Sequence, residues 1–253
     1  MAALPSSFVF AQVPSTAAEI AFEFHRNFAS KDPHIHPRLE SEIAELAQSG
    51  HLFSVRRKNT NEFVGLCYVV QDSAERNWQL GGLTVTIQKE GIGELLVRFA
   101  LAHTIVYGVL LQEGKWVQKI MAYVRKDNHA PRRLLTSLGF EHSGTDVFSH
   151  EDAPAWMERN RERGPFVFDE FTFTLDGLRQ LAAWFSERFD GTLHPSGAEA
   201  QIDLAGHNRI EHLTKALWHL LSLVVVASPP VGLHPHPVHP IEARRGYSGY
   251  RES

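Results

Sequence analysis

The stretch from Trp78 to Leu96, WQLGGLTVTIQKEGIGELL, restricts the possible folds of this chain more than any other. Its first half alternates, with apolar Leu83, Val85 and Ile87 between Thr84 and Thr86, the period of a half-buried strand. Its second half carries Ile92, Leu95, Leu96 and Phe99 at helical spacing. Gln88-Lys89-Glu90-Gly91-Ile92-Gly93 joins them. A strand that runs through glycines into a helix leaves the first amides of that helix unpaired and aimed one way. The helix dipole adds positive potential, so such a turn suits a phosphate or diphosphate. Glycines let a ligand come close to the main chain. The turn misses the dinucleotide fingerprint, because Leu96 stands where the third glycine would be, and no Gly-Lys-Ser/Thr follows for a P-loop. Taken alone, an ordinary strand-to-helix turn is the simpler reading.

The elements around this stretch alternate in type. Phe8 to Val13 reads as a strand, followed by a helix capped by Ser15 or Thr16, with Ala17, Ile20, Ala21, Phe24 and Phe28 on one face. Ser30 to Pro37 is a proline-bounded loop whose His34 and His36 lack the further ligands of a metal site; a substrate-facing loop is its other role. A second helix spans about Arg38 to Gln48, then two strands, His51 to Arg57 and Glu62 to Gln71, form a hairpin. Gly81-Gly82, inside the fourth strand, marks either a bulge or a weak spot. The helix after the glycine turn places the Glu94–Arg98 pair on its outer side and His103 on its apolar face, as a core histidine. Trp116 to Val124 reads as a fifth strand, which favours a mixed α/β sheet with a parallel crossover. Asn128 then caps a short helix that packs Leu134, Leu135 and Leu138 inward and stops at Gly139.

In this order and spacing, the Gln88 to Gly93 turn, Asn128 after the fifth strand and the closing Gly139-Phe140 resemble the GNAT superfamily of N-acetyltransferases, over roughly residues 8 to 175. That family carries an Arg/Gln-x-x-Gly-x-Gly/Ala turn after its fourth strand. The resemblance implies an α/β (α+β) fold: a mixed, mostly antiparallel twisted sheet of six to seven strands flanked by helices. Here a C-terminal helical extension would be added. It also implies acetyl-CoA, or another acyl-CoA, as co-substrate and a primary amine as acceptor. Backbone groups of Gln88, Lys89, Glu90, Gly91, Ile92 and Gly93 would hold the diphosphate, those of Leu83, Thr84 and Val85 the pantetheine arm, and Asn128 would contact the same arm. Arg132 or Arg133 would reach the adenosine phosphate or form a solvated helix face. The family's usual acid, a Tyr seven residues after the Asn, is Leu135 here. Tyr123, or else Tyr68, would replace it, and Glu75, then Asp72, would act as base. The alternative is a degenerate member that binds acyl-CoA or a protein partner without turnover.

The last strand hairpin would come from Phe140 to Gly144 and Pro165 to Leu175, with a phase slip at Asp169-Glu170 that suggests a bulge. These readings make residues 1–190 an acyltransferase domain with an insertion at 145–164. Asp176 caps a further helix, and 191–206 reads as a polar linker. A helix from Asn208 then aligns Ile210, Leu213, Leu217, Leu220, Leu221 and Val224, a stripe that needs the main domain or a second copy, as in a homodimer, to cover it. Linker and helix occupy 191–230, and the Pro/His-rich 231–253 reads as an extended or disordered tail. The net charge of −4 argues against a nucleic-acid partner. No apolar run approaches the ~20 residues of a membrane span, and no signal peptide is evident. The lone Cys67 lies in an apolar run, consistent with a reducing, cytoplasmic setting.

Overall fold

The structure is a computed structural model that describes residues 7–32, 34–35, 37–71, 77–108, 119–148, 166–204 and 210–227. Glu75, Asp72, most of the 145–164 insertion and the tail from 231 lie outside the described residues.

Eight strands form one sheet in the order β6-β7-β5-β4-β3-β2-β1-β8. In chain order the elements are β1 (Ser7–Gln12), α1 (Ala18–Ala29), α2 (Glu40–Gln48), β2 (Leu52–Arg57), β3 (Phe63–Gln71), β4 (Trp78–Val85), α3 (Ile92–Tyr107) and β5 (Ile120–Arg125). Then follow α4 (His129–Ser137), β6 (Phe140–Phe148), β7 (Phe166–Phe173), α5 (Leu175–Ala183), β8 (Glu199–Asp203) and α6 (Ile210–Ala227). The β4–β5 and β1–β8 pairs are parallel and the others antiparallel, so the sheet is mixed and mostly antiparallel, as expected.

Alternation along the strands sends side chains to two cores. On one face Phe10, Phe53, Cys67, Leu80 and Ala122 pack under α3, α5 and α6. On the other, Leu52, Phe63, Leu66 and Tyr68 pack under α1 and α2 through Ala21, Ile43 and Leu46. Burial pushes the Cys67 thiol pKa up, so it is inert packing.

Several local expectations change here. Arg98 does pair with Glu94, at 2.7 Å, but it is not on an outer face: it is 7% exposed, and its guanidinium lies 4.7 Å over the Trp184 ring. Helix α3 is buried on both sides because α6, together with Trp184 just after α5, covers what would otherwise be its solvent face. The α6 stripe is met within the chain, with Leu213, Leu217 and Leu221 buried against α3 and α5. The supposed linker 191–206 contains β8, which adds an eighth strand beside β1. Its signal was present in Ala198, Ala200 and Ile202 alternating with Glu199, Gln201 and Asp203, but the surrounding polar residues masked it. Thr174, not Asp176, caps α5, accepting from the Gly177 amide at 2.9 Å. The bulge near Asp169-Glu170 lies in the opposite strand: β6 gains the extra residue between His142 and Gly144. Asp169 is buried and meets Arg132 at 2.8 Å.

Candidate functional site

Strands β4 and β5 pair only at Trp78–Ile120 and Gln79–Met121, then separate. The cause lies in β4. Between Leu66–Thr84 and Tyr68–Gly81 the ladder to β3 shifts by one residue, a bulge with Gly82 at φ +61°. The Tyr68 ring occupies the space over both glycines: a Cβ on Gly81 would lie 2.8 Å from it, and one on Gly82 would overlap it. Of the two readings of Gly81-Gly82, the register shows the bulge, and the close approach it permits is that of Tyr68. The phenol oxygen accepts from Arg38 Nε at 3.2 Å, and Arg38 also pairs with Glu42 at 2.9 Å. Tyr68 is thereby committed to packing.

The result is a wedge whose β4 wall is main chain. The Thr86 amide donates to Val64 across the β3 ladder at 2.8 Å. Strand alternation then turns the main-chain groups of Val85, and of Leu83 before it, toward the wedge, while Thr84 Oγ1 bonds back to Leu66.

Beyond β4 the chain turns through Gln88 to Gly93 into α3. Lys89 and Gly91 take left-handed backbone, φ +64° and +80°, and Gly91 is the N-cap. The next amide known to be engaged is that of Leu95, to Gly91 O at 3.0 Å. Among the described residues, no acceptor meets the amides from Gln88 to Glu94. The glycine at 91 serves a further purpose, however. A Cβ there would overlap the carbonyl oxygen of His194, and Ser196 Oγ donates to Glu90 O at 3.3 Å. The loop before β8 is therefore packed against the turn.

Helix α4 starts at the same end of the sheet, after β5. Asn128 is its N-cap by backbone position but makes no side-chain cap bond, so its carboxamide is not spent on the helix. Arg132 is engaged by Asp169 and donates to Lys126 O at 2.9 Å, which takes it out of the phosphate role; Arg133 is exposed. Leu135 is buried in the core. From the α1–α2 loop, His34 Nδ1 comes within 3.7 Å of Asp127, which also pairs with Arg125 at 2.8 Å. Tyr123 lies on β5 on the α1–α2 side, and its phenol donates to Glu170 Oε2 at 3.4 Å. Glu170, which this places beside Tyr123, is a residue that sequence reading did not single out; the Asp169-Glu170 pair read as a phase slip, with no hint of which carboxylate faced which side.

A glycine turn after the fourth strand opens the central helix, the fourth and fifth strands splay, Asn128 follows the fifth, and β6–β7 closes the sheet as a hairpin. This is the arrangement that the resemblance to the GNAT superfamily implies.

No family model and no curated protein matches the sequence. Among solved structures, a GNAT-family acetyltransferase from Streptococcus pneumoniae is similar at 12% identity and TM-score 0.49, over 66% of this chain and 100% of that one. Ribosomal-protein-S5-alanine acetyltransferase from Vibrio fischeri shows 18% identity and TM-score 0.45, over 64% and 90%. Ribosomal-protein-S18-alanine N-acetyltransferase from Escherichia coli shows 16% and 0.46, over 66% and 92%. No described helix is long and apolar enough to cross a membrane.

Proposed function

We propose that this GNAT-fold chain transfers an acetyl or other acyl group from acyl-coenzyme A to a primary amine. The observation that carries the reading is the run of amides from Gln88 to Glu94, without acceptors among the described residues, at the mouth of the β4–β5 wedge. Backbone N–H groups at a helix start suit a diphosphate, so Gln88, Lys89, Glu90, Gly91, Ile92 and Gly93 hold that group. The main chain of Leu83, Thr84 and Val85 receives the pantetheine arm in the manner of an added strand, with Leu83 and Val85 making the bonds, and the Asn128 carboxamide closes on it from the β5 side. The co-substrate supplies an activated thioester. The amine attacks its carbonyl carbon directly, the C–S bond breaks, and Tyr123 gives a proton to the departing sulfur in the place left by Leu135. Glu75 is the candidate base from sequence; unchanged turnover in Glu75→Gln would remove it.

Calorimetry with acetyl-CoA, followed by thiol release with a panel of primary amines, tests this reading. Saturable binding and acceptor-dependent release are expected. Binding without release from any amine would favour the second reading, a chain that holds acyl-CoA without turnover, which the buried Leu135 favours because it offers no phenol at that position.

A further inference from the structure

Helices α1 and α2 lie over β2, β3 and β4. Past the wedge, on that same face, β5, β7 and β6 present a set of polar side chains. Tyr123 stands opposite Glu170 in the β5–β7 ladder. The β6 bulge turns Ser143 the same way, and its hydroxyl donates to Glu170 Oε1 at 2.7 Å while accepting from Thr172 Oγ1 at 2.9 Å. Both oxygens of Glu170 are thus oriented by neutral hydroxyls.

The contrast with its neighbour is informative. Asp169 is 3% exposed on the opposite face and is neutralised by Arg132. Among the described residues, no Lys, Arg or His forms an ion pair with Glu170. A partly exposed carboxylate fixed by hydroxyls, with no paired cation among the described residues, retains lone pairs and charge for an ammonium group. It is one strand from the open wedge.

We infer that Glu170, in place of Glu75 as the base, receives the acceptor amine and takes a proton from it, with Ser143 and Thr172 as positioning residues; this rests on the acyltransferase reading. The ammonium loses two protons as the C–N bond forms. One passes to Glu170, from there to Tyr123, and replaces the proton that Tyr123 gives to sulfur as the C–S bond breaks. The other goes to solvent. The balance is ammonium plus thioester to amide, thiol and one proton.

The test uses the full chain and its Glu170→Gln and Glu170→Asp variants, with acetyl-CoA and a panel of butylamine, spermidine, lysine and short unblocked peptides. Melting temperature and acetyl-CoA affinity by calorimetry are followed alongside thiol release against pH. With Glu170→Gln, acetyl-CoA affinity stays within about twofold, while kcat/KM for the amine falls by about 100-fold or more near neutral pH, the usual scale of general-base catalysis. The deficit narrows at high pH, where solvent deprotonates the amine, and Glu170→Asp recovers part of the rate. A Glu170→Gln variant equal to the parent overturns the assignment and leaves the acyltransferase reading standing. So does an equal loss of acetyl-CoA affinity, which would make Glu170 part of the cofactor site. A parent that binds no acetyl-CoA, or acetylates no amine, overturns both.

Discussion

Gly82 and Gly91 both adopt positive φ, yet each yields its missing side chain to a different neighbour, Tyr68 in one case and the His194 carbonyl in the other. Gly91→Ala therefore combines backbone strain with a main-chain clash that no rotamer relieves. It is expected to cost about 1–3 kcal/mol by chemical denaturation and to weaken acetyl-CoA binding, because the amide cradle must shift. Tyr123→Phe is expected to leave acetyl-CoA affinity unchanged and to lower turnover by about 10-fold or more, measured as thiol release. His103 sets a pH dependence of stability. Its ring lies 5.4 Å from Phe53 and 4.7 Å from Tyr107, and burial, helped by His51, lowers its pKa to about 4. Burial lowers His51 as well. For a base whose folded pKa is depressed, the unfolded chain binds more protons. The stability is fully present above about pH 6.5 and is lost as pH falls from there toward 4, by up to about 3 kcal/mol for His103. Denaturation midpoints in this range should fall with acid, and His103→Phe should flatten the curve.

Among the elements, α3 and α6 carry the stability argument. Helix α3 has apolar residues almost all round, and its single buried cation, Arg98, is tolerated because Glu94 and the Trp184 ring receive it. Burial lowers the Arg98 pKa against the pull of Glu94. The α6 leucines close over this helix. Leu217→Ala removes a fully buried side chain there and is expected to cost about 2–5 kcal/mol, measurable as a shift in denaturation midpoint. Trp218, next to it, is 44% exposed, and its change to Ala should cost much less. The β4 bulge acts in another way: it separates β4 from β5 without needing any side chain in the gap, so the wall it exposes is backbone.

For the molecule entire, the residues after α5 are built into the fold by β8 on β1, by α6 on α3 and α5, and by the 193–197 loop on the glycine turn. Ending the chain at Asp190 is therefore expected to lower the melting temperature sharply and to weaken acetyl-CoA binding, since the turn loses its backing. A truncated chain that melted and bound like the parent would show that the extension is dispensable. The order of elements up to Phe140 and the glycine turn could be read beforehand, while Gly81-Gly82 left bulge and weak spot open and the splay of the sheet came only with the register. Strand period, helix period and turn chemistry depend on residues a few positions apart, and those are adjacent in the sequence. Packing settled the rest. Ser196 meets Glu90 from 106 positions away and Tyr123 meets Glu170 from 47, and Arg98 is inside because a later helix covers it. No local period encodes which distant surface a residue will touch; that follows from how the faces of the sheet are shared out among the helices.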